Sequence, residues 1–176
     1  MATSPHPQIT QTEYLRRSWR PDREFIDGAL VERNVGSSEH GRMAALLAGW
    51  FGVNEKDWSV VTSMSCGLQV SPTRIRVPDL LLTQRIPQPA VITDPPILVV
   101  EILSHEDSCS ETQRKAGDYF AMGVNAVWIV DPRRHDASWC SGGIWHPSHT
   151  QLEVPGTRIH VDLAPLFAEV DLTRMP

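Results

Sequence analysis

The sequence predicts a mixed α/β (α+β) fold, a β-sheet core with flanking helices in a single domain. Three observations carry that prediction. Residues 97–103 are apolar at both parities, so they read as a strand covered on both faces. A capped helix follows from Ser108, and 126–130 is a second buried-type strand, so the unit is a right-handed crossover between parallel strands. The third is size. A chain of 176 residues buries roughly 70% of its unfolded surface, enough for one core without disulfide or structural metal.

In chain order, the polar, Pro-containing residues 1–12 read as a loose end and 13–176 as the folded domain. Residues 24–32 form a hairpin, because Asp27-Gly28 between apolar runs suits a type I′ turn. Ser37 or Ser38 caps a helix to about Phe51, with Met43, Leu46, Leu47 and Trp50 at helical spacing. Strands are expected at 58–64, 67–70 and 75–83, then at 97–103 after a Pro-rich connection. Ser108 and Glu111 have capping-box spacing, and Gly123 stands where a helix end wants a left-handed residue. Beyond the 126–130 strand, Trp139, Ile144 and Trp145 predict one or two more strands, and 163–170 a short closing helix.

Composition narrows the function. Hydrophobic residues are 41% and charged residues 21%, a globular balance, and no apolar run approaches a membrane span. Three unpaired-looking cysteines and the lack of a signal-peptide pattern predict a soluble, cytoplasmic protein. The net charge of −5 argues against a protein that grips nucleic acid over its whole surface. P-loop, GxGxxG, GxSxG and HExxH motifs are all missing, and His135, Cys140, His146 and His149 lack zinc-ligand spacing.

The chemistry rests on a few residues. Asp79 and Glu101 interrupt the apolar pattern of neighbouring strands, and a carboxylate there is expensive unless paired. Two of them invite a divalent cation, although each could instead cap an amide or pair with an arginine. Lys115 falls inside the apolar arc of its helix, about 20° from Met122 and about 40° from Tyr119. It is one of only two lysines against fourteen arginines. A compact donor aimed at the sheet could orient a water or stabilise an anion; a snorkelling stem is the plainer alternative. On the same wheel Asp118 falls on the polar face and Cys109 on the inward one. His40 shares a face with Met43 and Leu47, and either meets a substrate phosphate or metal shell or is a hydrogen-bonded, half-buried histidine. Arg74 and Arg76 precede Asp79 and should lie at one rim of the site; Arg16, Arg17, Arg20 and Arg23 form a second basic cluster.

Taken in order, Pro78-Asp79, Glu101-Ile102-Leu103-Ser104, Lys115-Ala116-Gly117-Asp118-Tyr119 and 123–132 resemble the Uma2 family, a group assigned as bacterial endonucleases of the PD-(D/E)XK superfamily. The 24–31 hairpin and His40 resemble its opening. The resemblance implies a restriction-endonuclease-like α-β-β-β-α-β core and a Mg²⁺ (or Mn²⁺) nuclease centre. Asp79 matches the first acid and Glu101 the second, with the Ile102 carbonyl completing the metal set. Leu103 stands where the superfamily usually has its lysine, and Lys115 on the next helix matches the family's alternative. The implied activity is metal-dependent endonuclease cleavage of nucleic acid, DNA foremost, with His40 and Arg76 toward the substrate and a homodimer as a possible assembly. A nuclease fold that binds nucleic acid or a protein without cutting is the alternative, and an unrelated metal-dependent hydrolase or structural domain is a third reading.

Overall fold

Two left-handed residues, Asp27 at φ 51° and Gly28 at φ 88°, close the first hairpin, as a type I′ turn requires. They join β1 (Arg23–Ile26) to β2 (Ala29–Glu32). The computed structural model describes residues 9–20, 22–34, 36–105 and 107–173. Of the expected loose end, 1–8 lie outside the described residues. From Ile9 the chain is hydrogen-bonded to the first hairpin. The Ile9 N–H donates to the Gly28 carbonyl at 3.0 Å, and Thr10 and Glu13 form a capping box that starts α1 (Gln11–Leu15).

The helix α2 (Ser38–Trp58) begins at the Ser37 cap but runs two turns past Phe51. Trp58 explains the extension: its ring packs on Phe51 at 6.3 Å and Trp50 at 6.5 Å, and Ser59 at φ 56° ends the helix.

The expected single strand over 75–83 is in fact two. Pro78 has no N–H to give a ladder. The chain therefore leaves β5 (Arg74–Arg76), skips three residues, and enters β6 (Leu80–Gln84) in a different sheet. Asp79 sits in that break rather than inside a strand. With β3 (Val60–Met64), β4 (Leu68–Ser71) and β7 (Leu98–Ile102) the first half is set. It continues through α3 (Cys109–Met122), β8 (Ala126–Asp131), β9 (Asp136–Ser141) and β10 (Ile144–Ser148). The sheets run β2-β1-β5-β4 and β10-β9-β8-β7-β6-β3. As expected, β7 and β8 are parallel around the α3 crossover. A small pair not foreseen, β11 (Gln151–Glu153) and β12 (His160–Asp162), precedes the closing helix α4 (Leu163–Asp171).

Strand alternation decides what each face carries. Leu98, Val100 and Ile102 of β7 join Leu80, Leu82 and Trp128 under α2 and α4. Val99 joins Leu81, Val127 and the α3 residues Ala116 and Tyr119 on the opposite face. Each such fully buried large side chain contributes about 1.5–3 kcal/mol. Glu101 has the parity of Val99, so the sheet presents it to α3. Among the described residues, no helix is long and apolar enough to cross a membrane.

Candidate active site

Three buried carboxylates converge where the two sheets and α3 meet: Glu24 at 4%, Asp79 at 7% and Glu101 at 6% exposure. Each comes from a different device. Glu24 alternates with Phe25 on β1, so Phe25 enters a small core with Tyr14 and Ile75 while Glu24 faces α3. Asp79 is carried by the Pro78 break. Glu101 is delivered by the central strand β7.

Lys115 of α3 bridges two of them, its Nζ lying 2.9 Å from Glu101 Oε1 and 3.0 Å from Glu24 Oε1. Its side chain is 20% exposed, so it points inward as the wheel predicts. The Tyr119 hydroxyl, one turn on, donates to the same Glu101 Oε1. Neither contact uses Oε2. Asp79 accepts from the Ile102 N–H at 2.8 Å and from Arg33 at 2.8 Å, and its Oδ2 is 3.2 Å from His40 Nε2. The described residues thus bring Asp79, Glu101, Ile102, Lys115 and His40 into one cleft of about 170 Å³.

Arg76 stands one layer behind. Its guanidinium bonds Glu24 at 2.7 Å and Asp118 at 2.6 Å, so it organises carboxylates instead of standing free at the rim. Asp118, read on the polar face of α3, is drawn inward by Arg76 and by Arg74 at 2.8 Å. Cys109, expected inward, is exposed at the helix start. Sequence reasoning gave no role to Glu24, Arg33 and Tyr119. The signal for Glu24 was available: an acid opposite Phe25 in a hairpin whose other face is apolar.

The electrostatics follow from this crowding. Burial pushes Asp79 upward, but the His40 hydrogen bond and charge, the Ile102 amide and Arg33 outweigh it and hold it below the usual carboxylate range. Glu24 is likewise raised by burial and brought lower overall by Lys115, the Val77 amide and Arg76. Burial wins at Glu101, which is raised despite Lys115, with Asp79 adding to the rise. Lys115 loses to burial but gains more from Glu101 and Glu24, so it is raised and stays charged. The bond to Asp79 raises His40.

The cleft is lined by Glu24, Glu32, Asp79, Glu101 and Asp107 against the cations Arg33 and Lys115. That acidic surplus and its hard oxygen donors suit Mg²⁺ or Mn²⁺, which need only one or two carboxylates and keep several waters. Among the described residues, no three His, Cys, Asp or Glu side chains form a ready metal cage.

Comparison with known proteins gives a match to the family model Uma2, described as "Putative restriction endonuclease", over residues 12–172. Among solved structures, a "putative nuclease belonging to DUF820" from Anabaena variabilis superposes with a TM-score of 0.80 at 17% identity, covering 92% of this chain and 99% of that one. A DrdV–DNA complex aligns with a TM-score of 0.40 at 14% identity, over 76% of this chain and 11% of that one. No curated protein matches.

Proposed function

The chain belongs to the Uma2 family, and from that premise we propose that it is a metal-dependent endonuclease hydrolysing phosphodiester bonds of nucleic acid, DNA foremost. One observation carries the reading: an inward-pointing, partly buried lysine wedged between carboxylates in an acid-rich cleft, within 3.0 Å of both Glu24 and Glu101. Asp79 and Glu101, with the Ile102 carbonyl, would hold Mg²⁺ or Mn²⁺. When bound, the cation supplies polarisation of the phosphate and a more acidic water.

The chain's own residues do the rest. Lys115 orients the water or meets charge building on the phosphate. Tyr119 fixes the Glu101 carboxylate by donating to one of its oxygens. Glu101 and Glu24 keep the Lys115 ammonium charged and in place, and Lys115, the Val77 amide and Arg76 keep Glu24 ionised. His40, whose pKa the bond to Asp79 raises, stands at the cleft wall where a substrate phosphate can meet it. Two such sites would cut both strands of a duplex if two copies pair. The three free cysteines suit a cytoplasmic location.

The test is cleavage of supercoiled plasmid and labelled single strands with Mg²⁺, Mn²⁺ or EDTA, with Glu101→Ala protein prepared in parallel. Cleavage that needs metal and disappears in the variant supports the centre. Equal cleavage by the variant exposes a contaminant and removes the proposal.

A further inference from the structure

A second cleft, of about 260 Å³, opens beside α1. Tyr14 and Trp19 wall it, Arg17 and Arg23 flank it, and Ile75 and Val91 line it. The aromatic wall is preset. The Tyr14 and Trp19 rings stack at 6.3 Å and 12°, the Trp19 indole N–H donates to the Tyr14 carbonyl at 3.1 Å, and the Tyr14 hydroxyl donates to the Arg23 carbonyl at 2.7 Å.

The charge beside this wall is unusual for the molecule. Arg33, Arg42, Arg74, Arg76, Arg85 and Arg114 are each matched to a carboxylate. Among the described residues, Arg16, Arg17 and Arg20 form no ion pair, and all three are exposed. Glu13, the acid that feels Arg17, is engaged in capping Thr10. In a chain of net charge −5, these three arginines flank the stacked rings in sequence; Arg17 lines the cleft itself, with Arg23 and one acid, Asp22. An aromatic platform flanked by arginines is the chemistry that receives single-stranded nucleic acid, because bases stack on rings while cations follow the phosphates. A base inside a duplex is already stacked on its neighbours and cannot lie on such a wall.

The position also fits. Ser65 and Val77 line this cleft, and their N–H groups bond the Asp79 carbonyl at 3.1 Å and Glu24 at 3.0 Å. The two clefts therefore meet at the Val77–Asp79 break. We propose that the α1 cleft is a single-strand subsite: an unstacked base lies against Trp19, which the buried Tyr14 ring backs, and flanking phosphates meet Arg16, Arg17 and Arg20. This rests on the nuclease reading and specifies part of its substrate, a single strand or a frayed end.

The experiment is fluorescence anisotropy in EDTA with a labelled oligothymidylate and a blunt duplex of equal length, across a salt series. Working in EDTA separates binding from cleavage. The wild type should prefer the single strand. The surface double variant Arg17→Glu/Arg20→Glu should bind about tenfold or more weakly, with the salt slope reduced by about 1.4. Trp19→Ala should weaken binding about 5- to 150-fold, and Trp19→Phe should restore much of it. Unchanged binding in the charge variant, duplex preference, or no oligonucleotide binding by the wild type would each overturn the subsite. If plasmid is still cut in metal, the nuclease reading survives that loss. Weakened binding without any cutting would keep the subsite and remove the nuclease.

Discussion

Lys115 is shared between two carboxylates that its surroundings push in opposite directions, Glu24 downward and Glu101 upward. Glu24 holds the lysine from the hairpin side at 3.0 Å, and its neutralisation should be felt as lost positioning. Glu24→Gln should lower kcat by about 10- to 100-fold, the range for partners behind a metal site, with KM nearly unchanged. A variant that alters KM alone would place Glu24 in substrate binding instead. His40 offers a second prediction, for metal-free protein. Its folded pKa is raised by Asp79, so the stability it contributes is complete below the unfolded value of ~6.5 and fades as pH rises through the folded one. Asp79 is lowered, so its share is present above ~3.9 and fades as pH falls through the lower value. The pair therefore stabilises most between those two titrations. The His40 ring signal in NMR should titrate above ~6.5 and move back toward it in Asp79→Asn; a ring that titrates normally in wild type would refute the contact.

At the scale of elements, α3 was legible because its signals are local. Ser108 accepts from the Glu111 N–H at 3.2 Å, and Gly123 ends the helix at φ 105°. A Cβ at that position would lie 3.3 Å from Pro95 Cγ as well as in strained backbone. Gly123→Ala should therefore cost about 1–2 kcal/mol, or about 2–8 °C in Tm for a chain of this size; calorimetry that detects no loss would contradict the assigned turn. What was not legible depended on distant partners. Alternation placed Asp79 within a strand, but Pro78 moves the chain between sheets, and which sheet receives each half is settled by pairings far along the sequence. The helical wheel put Asp118 on the polar face, and could not show that Arg74 and Arg76 arrive from β5 to draw it inward. The overrun of α2 to Trp58 was hidden for the same reason: Gly52 and Asn54 weaken the local signal, and the tryptophan packing that overrides them is tertiary.

At the scale of the molecule, the site lies on a seam. Asp79 and Glu101 come with the six-stranded sheet, Glu24 with the four-stranded one, and Lys115 with α3. One chain of ion pairs crosses the seam: Asp27 to Arg74, Arg74 to Asp118, Asp118 to Arg76, Arg76 to Glu24, and Glu24 to Lys115. Asp118 joins its two arginines, is 16% exposed, and does not line the Asp79–Glu101 cleft. Its removal leaves two arginines facing each other with one fewer anion, a partly buried pair broken from one side. Asp118→Ala should cost about 3 kcal/mol, near the low end for such a loss because water still reaches the pair. The urea midpoint should fall with little change in slope. The same variant should also weaken Mg²⁺ binding measured by calorimetry, because Glu24 and Lys115 lose the anchor that ties the hairpin to α3. Arg114→Ala, which removes an exposed pair at 3.9 Å, should move neither quantity appreciably. Lost stability with unchanged Mg²⁺ affinity would mean that the clamp holds the sheets together without shaping the site. Loss of both would mean that the architecture and the cleft are set by the same ion pairs.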